Sequence, residues 1–183
     1  MCRSYQDRPV PRSILLRILD SANKSPSAGH SQGVRFVVIT NKKKRLEIAK
    51  IHGEERYVER GYKAWLSSAP VHILVAVRKA DYDERYSEPD KNCSPQDWPV
   101  SYPILDTGKA LMALYLAAEN FSLACGYLGP HAGPDLLSAL NLPSDWTHCG
   151  LVSLGYPDRV SQKLTHSQKR GWKAFDDIVT WIS

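Results

Sequence analysis

The sequence predicts one domain in which helices pack on a β-sheet, of the α/β or α+β class. Helical and strand-like segments alternate along the 183 residues, a pattern typical of sheet domains covered by helices. Hydrophobic residues make up 43% of the chain and charged residues 23%, as in an ordinary globular domain. A chain of this length buries about 70% of its unfolded surface, so it can fold without a disulfide or a metal. We therefore expect a single domain over residues 1–183.

The first half of the chain predicts three helices and two strands. In the first helix Ile14, Leu15 and Ile18 recur at helical spacing, which gives one buried face. This helix should end before Pro26, because the residue that precedes a proline avoids helical backbone angles. The predicted segments are a helix over 12–23, a loop over 25–33, a strand over 35–40, a helix capped by Asn41 and running to about His52, a weaker helix over 57–66 and a strand over 71–77.

The second half contains a polar, proline-bearing segment over residues 79–101 that has no helical or strand period. A loop of this length in a compact domain is usually functional or disordered. The next segment, 104–124, is apolar on nearly every face, so we expect a helix buried in the core or at an oligomer interface. After it the pattern predicts a strand over 125–129, a short helix over 134–140, a strand over 149–157, and a basic linker with a tail over 158–183.

The net charge of +5 permits binding to nucleic acid or to a phosphorylated cofactor. Basic residues gather over 42–45 and again over 163–173. Neither group is interleaved with aromatic residues, as in a platform that stacks bases, and neither lies in a helix-turn-helix or zinc-finger pattern. We therefore expect no nucleic-acid partner. No apolar run approaches 18 residues, so we also expect no membrane span.

The cysteines and histidines argue against a metal or a disulfide. Cys2, Cys93, Cys125 and Cys149 include no C-x-x-C pair, which zinc sites and thioredoxin-like motifs use. The six histidines are scattered without metal-binding spacing, so we expect no metal site. We expect reduced thiols and hence a cytoplasmic protein, since the first residues carry charges where a signal peptide needs an apolar stretch.

Short segments in a fixed order carry the strongest signal, because the common catalytic motifs fail. The sequence has no G-x-S-x-G nucleophile elbow, no complete phosphate loop and no G-x-G-x-x-G fingerprint. The segments are Arg3-Ser4-Tyr5 followed by Pro9-Val10-Pro11, then Pro26-Ser27-Ala28-Gly29-His30-Ser31-Gln32, then Gly126-Tyr127-Leu128-Gly129, and finally Leu154-Gly155-Tyr156-Pro157 before basic residues.

In this order the segments resemble the nitroreductase-like flavoprotein family over most of the chain, except residues 54–68 and 79–100. The resemblance implies an α+β fold with a mixed sheet flanked by helices and a long buried central helix at a homodimer interface. It also implies one FMN per site and a ping-pong cycle. Hydride would pass from NADH or NADPH to FMN and then to a small electron-poor acceptor, such as a nitroaromatic or a quinone. The flavin carries that chemistry, so we expect no catalytic side chain.

The resemblance assigns residues to the flavin site by matching position. Arg3 matches the cation that approaches the flavin, where reduction leaves negative charge on the pyrimidine edge. His30 stands where the family usually has asparagine, and an imidazole can still donate one hydrogen bond. The implied cofactor-binding residues are Arg3, Pro26, Ser27, Ala28, His30, Gln32, Leu128 and Gly129, with Lys169, Arg170 and Lys173 as the basic segment at the phosphate.

The polar segment 79–101 suits a lid above the flavin, because it mixes charged and aromatic side chains. Tyr86 and Trp98 are the candidate contacts to the acceptor. A solvated loop is the alternative interpretation of the same composition.

The beginning of the chain departs from the family pattern. The opening motif of the family usually has two more polar or basic residues before the position of Arg3, whereas this chain starts at Met1. Loss of one charge-assisted phosphate contact costs about 1.5–3 kcal/mol, or roughly one to two decades in affinity. We therefore expect an upstream start or weaker FMN binding. The alternative function is that of a flavin-free dimer of the same fold with a binding or regulatory role.

Overall fold

The computed structural model describes residues 1–131, 133–158 and 169–182 and shows an antiparallel sheet with helices on both faces. This arrangement belongs to the α+β class, as predicted. In chain order the elements are α1 (Arg12–Asn23), β1 (Val34–Ile39), α2 (Lys42–Ile51), α3 (Glu54–Glu59), β2 (Val71–Arg78), α4 (Ala80–Tyr86), α5 (Tyr102–Asn120), β3 (Ala124–Leu128), α6 (Gly133–Ala139) and β4 (Trp146–Gly155).

The four strands lie in the order β1–β2–β4–β3, and every neighbouring pair is antiparallel. The expectation of a mixed sheet is therefore corrected for the described part of the chain. Two parallel neighbours need a connection that crosses from one end of the sheet to the other. The connections from β1 to β2 and from β3 to β4 instead start and finish at the same end of the sheet.

Strand β2 is buried on both faces. Ile73 and Val75 pack in the layer that holds α1 and α5. Leu74 and Ala76 pack in the opposite layer, with residues of α2 and α6. Successive side chains of a strand point to opposite faces, so β2 contributes side chains to both layers. The apolar run over 71–77 reflects this double burial.

The predicted helix over 57–66 is wrong, because helix α3 ends at Glu59. The chain turns at Gly61, where φ is +78°. Further along, the backbone N–H groups of Leu66 and Ser67 donate to the Glu54 carboxylate at 2.5 and 3.2 Å. A buried carboxylate that accepts backbone N–H groups fixes a turn in place of a helix.

The central helix α5 is shorter than the predicted 104–124 and is not buried all round. The chain leaves it before Ser122, whose φ is +58°. Leu105, Met112 and Leu116 share one side and are 47–58% exposed in the single chain. Among the described residues no helix, α5 included, is long and apolar enough to cross a membrane. The opposite side, which includes Ala110, Leu114 and Ala118, is buried in the core.

The segment 79–101 is not an irregular loop, because it contains helix α4 and a short 3-10 turn over Pro95–Asp97. Asp81 lies in the first turn of α4, where a negative charge favours the helix. It also pairs with Arg35 and Arg78. Arg35 lies 46 residues before Asp81, which explains why local sequence patterns did not predict the helix.

Two buried histidines should make the stability of the fold depend on pH. His72 on β2 bonds through Nε2 to the carbonyl of Leu66 at 2.8 Å. Burial lowers the pKa of His72 to about 4, and burial likewise lowers that of His52 to about 4. Both are therefore neutral in the folded chain at pH 7, whereas in the unfolded chain they titrate near pH 6.5.

We expect the free energy of unfolding to fall as the pH is lowered from about 6.5 towards 4, by up to about 3 kcal/mol per histidine. The unfolded chain binds protons in this range and the folded chain does not. Urea unfolding of the native protein and of His72→Gln across this range measures the effect. His72→Gln should flatten the profile, and the control His30→Asn, at an exposed position, should leave it unchanged. An unaltered slope in His72→Gln would contradict the assignment.

Candidate functional site

The loop over residues 25–33, called the α1–β1 loop below, has unusual backbone geometry. Gly29, His30 and Gln32 have φ values of +59°, +59° and +53°. Such angles are uncommon for residues other than glycine, although asparagine and histidine adopt them more readily than most. The position where the resembled family has asparagine therefore also suits histidine. Strain of this kind gathers at functional sites.

Hydrogen bonds inside this loop decide which groups can face a ligand. The N–H of Ala28 donates inward to Asp106 Oδ2 at 2.8 Å, so it is not directed at a ligand. The N–H of Gln32 donates to Ser27 Oγ at 3.0 Å. Ser27 Oγ accepts this bond, and its own hydrogen has no acceptor among the described residues. Ser27 is therefore a candidate donor, and Asp106, which the sequence analysis missed, is the support of the loop.

Arg3 lies beside Trp65 in a second part of the molecule. Its guanidinium carbon is 5.7 Å from the centre of the Trp65 ring. Arg3 Nε and Trp65 Nε1 are buried donors without a hydrogen-bond partner in the described part of the chain. Buried donors nearly always have a hydrogen-bond acceptor. A carbonyl or phosphate oxygen of a ligand would be a suitable acceptor for these two donors. The only signal for Trp65 in the sequence was the tryptophan itself, whose N–H needs an acceptor when it is buried.

Gly126 of β3 shapes the surroundings of Arg3. A Cβ at Gly126 would lie 2.5 Å from the carbonyl of Cys2 and 2.8 Å from Trp65, so only glycine lets these groups meet. Just beyond the strand, a Cβ at Gly129 would meet nothing closer than 3.7 Å. Leu128 points into the core. Leu128 and Gly129 can therefore offer backbone rather than side chain to a ligand, as the resemblance implies.

Arg3 and the α1–β1 loop lie at opposite ends of the sheet. Gly126, beside Arg3, is paired through β4 with His72 near the start of β2. The α1–β1 loop meets the other end of β2, where the N–H of Arg78 donates to the carbonyl of Gly33 at 2.9 Å. Six residues of strand separate these levels, which corresponds to about 20 Å. One chain therefore does not bring the two groups of predicted residues together.

The structure does bring Tyr86 and Trp98 to the α1–β1 loop. Their rings are 4.8 Å apart and packed edge to face. A Cβ at Gly29 would lie 2.8 Å from the Tyr86 ring, and Arg85 Nε donates to the carbonyl of Gly29 at 2.8 Å. The two candidate acceptor contacts thus form one surface with the loop.

The structure describes only part of the basic segment that the resemblance assigns to the phosphate. Lys169, Arg170 and Lys173 are exposed in the C-terminal tail. Residues 159–168, most of the predicted basic linker, lie outside the described residues. The role of these cations at a phosphate therefore stays a prediction.

The contact between Gly29 and Tyr86 can be tested with a pair of matched substitutions. Gly29→Ala and Gly53→Ala both place a side chain at a similar positive φ, +59° and +64°, which costs about 1–2 kcal/mol. Only Gly29→Ala adds a collision, because the nearest atom to a Cβ at Gly53 is 3.9 Å away. We expect Gly29→Ala to lose at least about 1 kcal/mol more in urea unfolding. Equal losses would show that Tyr86 does not confine the loop.

Comparisons with known proteins agree with this architecture. The sequence model of the nitroreductase family matches residues 1–156. An FMN reductase [NAD(P)H] of Bacillus subtilis is 25% identical, with 88% of this chain and 64% of that protein covered. An iodotyrosine dehalogenase 1 homolog of Caenorhabditis elegans is 26% identical, with 92% of this chain and 57% of that protein covered. The chain thus spans less than two thirds of both relatives.

A solved nitroreductase-like protein of Streptococcus mutans shares the fold. Its TM-score is 0.77 at 16% identity, with all of this chain and 93% of that chain covered. The predicted family and fold are confirmed by these matches. With a family match that covers residues 1–156, the chain belongs to the nitroreductase family.

Proposed function

We propose that this chain is an NAD(P)H-dependent FMN oxidoreductase that passes hydride through bound flavin to a small electron-poor acceptor, in a ping-pong cycle. Family membership supports the enzyme class, and the name of the Bacillus subtilis relative supports both FMN and NAD(P)H. The observation that carries the proposal is the pair of buried donors, Arg3 Nε and Trp65 Nε1, that lack a partner among the described residues.

These residues fit FMN. A bound flavin would supply the redox chemistry, accepting and releasing hydride. Arg3 would place a positive charge, and Trp65 an N–H, where the reduced flavin is anionic. Ser27 would donate from the α1–β1 loop. The tail cations Lys169, Arg170 and Lys173 are the chain's candidates for the phosphate.

Two copies of the chain are needed to complete such a site. Arg3 and the α1–β1 loop lie about 20 Å apart along the sheet, and in the proposed site the loop of one copy would face Arg3 of the other. The exposed side of α5, with Leu105, Met112 and Leu116, offers an apolar surface for this contact. In the tail Trp172 and Trp181 are also exposed in the single chain. We therefore propose a homodimer with two shared sites.

The acceptor would bind against Tyr86 and Trp98. Their rings, together with the α1–β1 loop, form an aromatic surface that suits a planar acceptor. The protein would orient reductant and acceptor in turn and hold them at reacting distance. The flavin-free dimer with a binding or regulatory role is the alternative that the first experiment separates.

We expect purified protein to keep flavin absorption bands after incubation with FMN and desalting. Arg3→Gln should weaken FMN affinity about 10- to 100-fold, because it removes a charge-assisted hydrogen bond. Arg12→Gln, at an exposed position on α1, is the control and should leave the affinity unchanged. A protein that gains no flavin bands would overturn the proposed function and favour the flavin-free alternative.

We expect a mass in solution of twice the 20.6 kDa chain. Met112→Glu places a charge in the centre of the exposed side of α5 and should give monomers that no longer retain FMN, because the site needs two chains. Leu46→Glu, at a similarly exposed apolar position on α2, should stay dimeric. Light scattering and the flavin spectrum test both points. Monomeric native protein with bound FMN would rule out a shared site.

A further inference from the structure

A buried carboxylate on α5 joins three separate elements. Asp106 is 1% exposed. Its Oδ2 accepts hydrogen bonds from the N–H of Ala28 at 2.8 Å and from the hydroxyl of Tyr82 at 2.9 Å. Its Oδ1 pairs with Lys109 Nζ at 2.8 Å. A charge at such depth is tolerated only when it is paired and hydrogen-bonded, so all three donors matter to it.

The bond from Tyr82 links Asp106 to helix α4. Burial, and after it the hydrogen bond to Asp106, raises the pKa of Tyr82, so the phenol keeps its proton and donates. The bond from Ala28 links the same carboxylate to the α1–β1 loop. One oxygen atom, Asp106 Oδ2, thus holds two segments that are more than fifty residues apart in sequence.

The aromatic wall, defined as Tyr82, Tyr86, Trp98 and Tyr102, continues from this link. Trp98 packs edge to face on each of the other three rings, at centroid distances of 6.2, 4.8 and 4.9 Å. Tyr102 is the first residue of α5, the helix that carries Asp106. The wall is therefore anchored to α5 at one end by the chain itself and at the other by the bond between Tyr82 and Asp106.

We infer that Asp106 is a positioning residue that locks the α1–β1 loop and the aromatic wall into one unit, so that flavin binding and acceptor selection are set by the same carboxylate. The inference rests on the proposed function, in which the loop holds flavin and the wall faces the acceptor. It replaces the picture of segment 79–101 as an independent lid. A change in the wall alters the loop, because both depend on Asp106 Oδ2.

The lock itself is tested without flavin, by amide hydrogen exchange of the chain over residues 1–183. The variants are Asp106→Asn, Tyr82→Phe and the double variant. The matched control is Glu119→Gln, the same carboxylate-to-amide change at an exposed position on α5. We expect Asp106→Asn to speed exchange at least about tenfold both in the α1–β1 loop and across residues 80–102, with β2 and β4 unchanged. Glu119→Gln should change neither segment.

Faster exchange in only one of the two segments would overturn the inference, because the lock requires both to loosen together. Faster exchange in β2 and β4 as well would also overturn it, since that pattern indicates general destabilisation. Neither result depends on whether the protein binds FMN. A wild-type chain that binds no FMN would defeat the proposed function, while the exchange data would still decide on the lock.

The functional coupling is tested by a double-mutant cycle on the dissociation constant for FMN and on KM for menadione as a quinone probe. We expect Asp106→Asn to raise both constants several-fold. Tyr82→Phe should add little in the Asp106→Asn background, since the two residues act through one hydrogen bond. Independent, additive effects on the two constants would show that loop and wall are set separately.

Discussion

The burial of β2 on both faces is the constraint on which the rest of the structure depends. A fully buried aliphatic side chain contributes about 1.5–3 kcal/mol, whereas an exposed ion pair such as that of Lys24 and Asp20 contributes about 0–1 kcal/mol. Apolar burial in two layers therefore contributes more to the stability of the sheet than the exposed ion pairs do. With both faces covered by helices, only the two ends of β2 are left to meet ligand-binding segments.

This arrangement explains why the predicted site residues fall into two groups. Arg3 and Trp65 lie near the start of β2, and the α1–β1 loop lies at its end. A packed strand does not shorten, so the distance between the groups is a fixed property of the fold. The same chain leaves one side of α5 apolar and exposed. The proposed homodimer would resolve both features at once, because a second copy would cover the helix and bring its own loop to the partner's Arg3.

Local signals predicted the elements that depend on local physics. Helix α1 runs over 12–23 as expected from its apolar spacing, and Asn41 does cap α2 by accepting the N–H of Lys44 at 3.1 Å. The elements that were missed depend on distant partners. Helix α4 is held by Arg35 and by Asp106, and no pattern within its own seven residues shows either.

The candidate site was predictable to a similar degree and for the same reason. The order of short segments identified the family and the α1–β1 loop. It did not show that the N–H of Ala28 turns inward, because the acceptor, Asp106, lies 78 residues further on. The exposed side of α5 was likewise hidden, since an apolar helix gives the same pattern whether its partner is the core or a second chain. Trp65 lies in a stretch that the resemblance does not cover, so only the structure connects it with Arg3.

Two of the four described non-glycine residues with positive φ lie in the α1–β1 loop, where the chemistry is proposed. His30 and Gln32 have positive φ values, which cost of order 1–3 kcal/mol each. The charge-assisted bond from Ala28 to Asp106 contributes about 1.5–3 kcal/mol, enough to offset much of that strain. An aspartate in the core is costly unless paired, yet here it holds a strained loop in a single conformation. The buried carboxylate and the strained loop therefore explain each other.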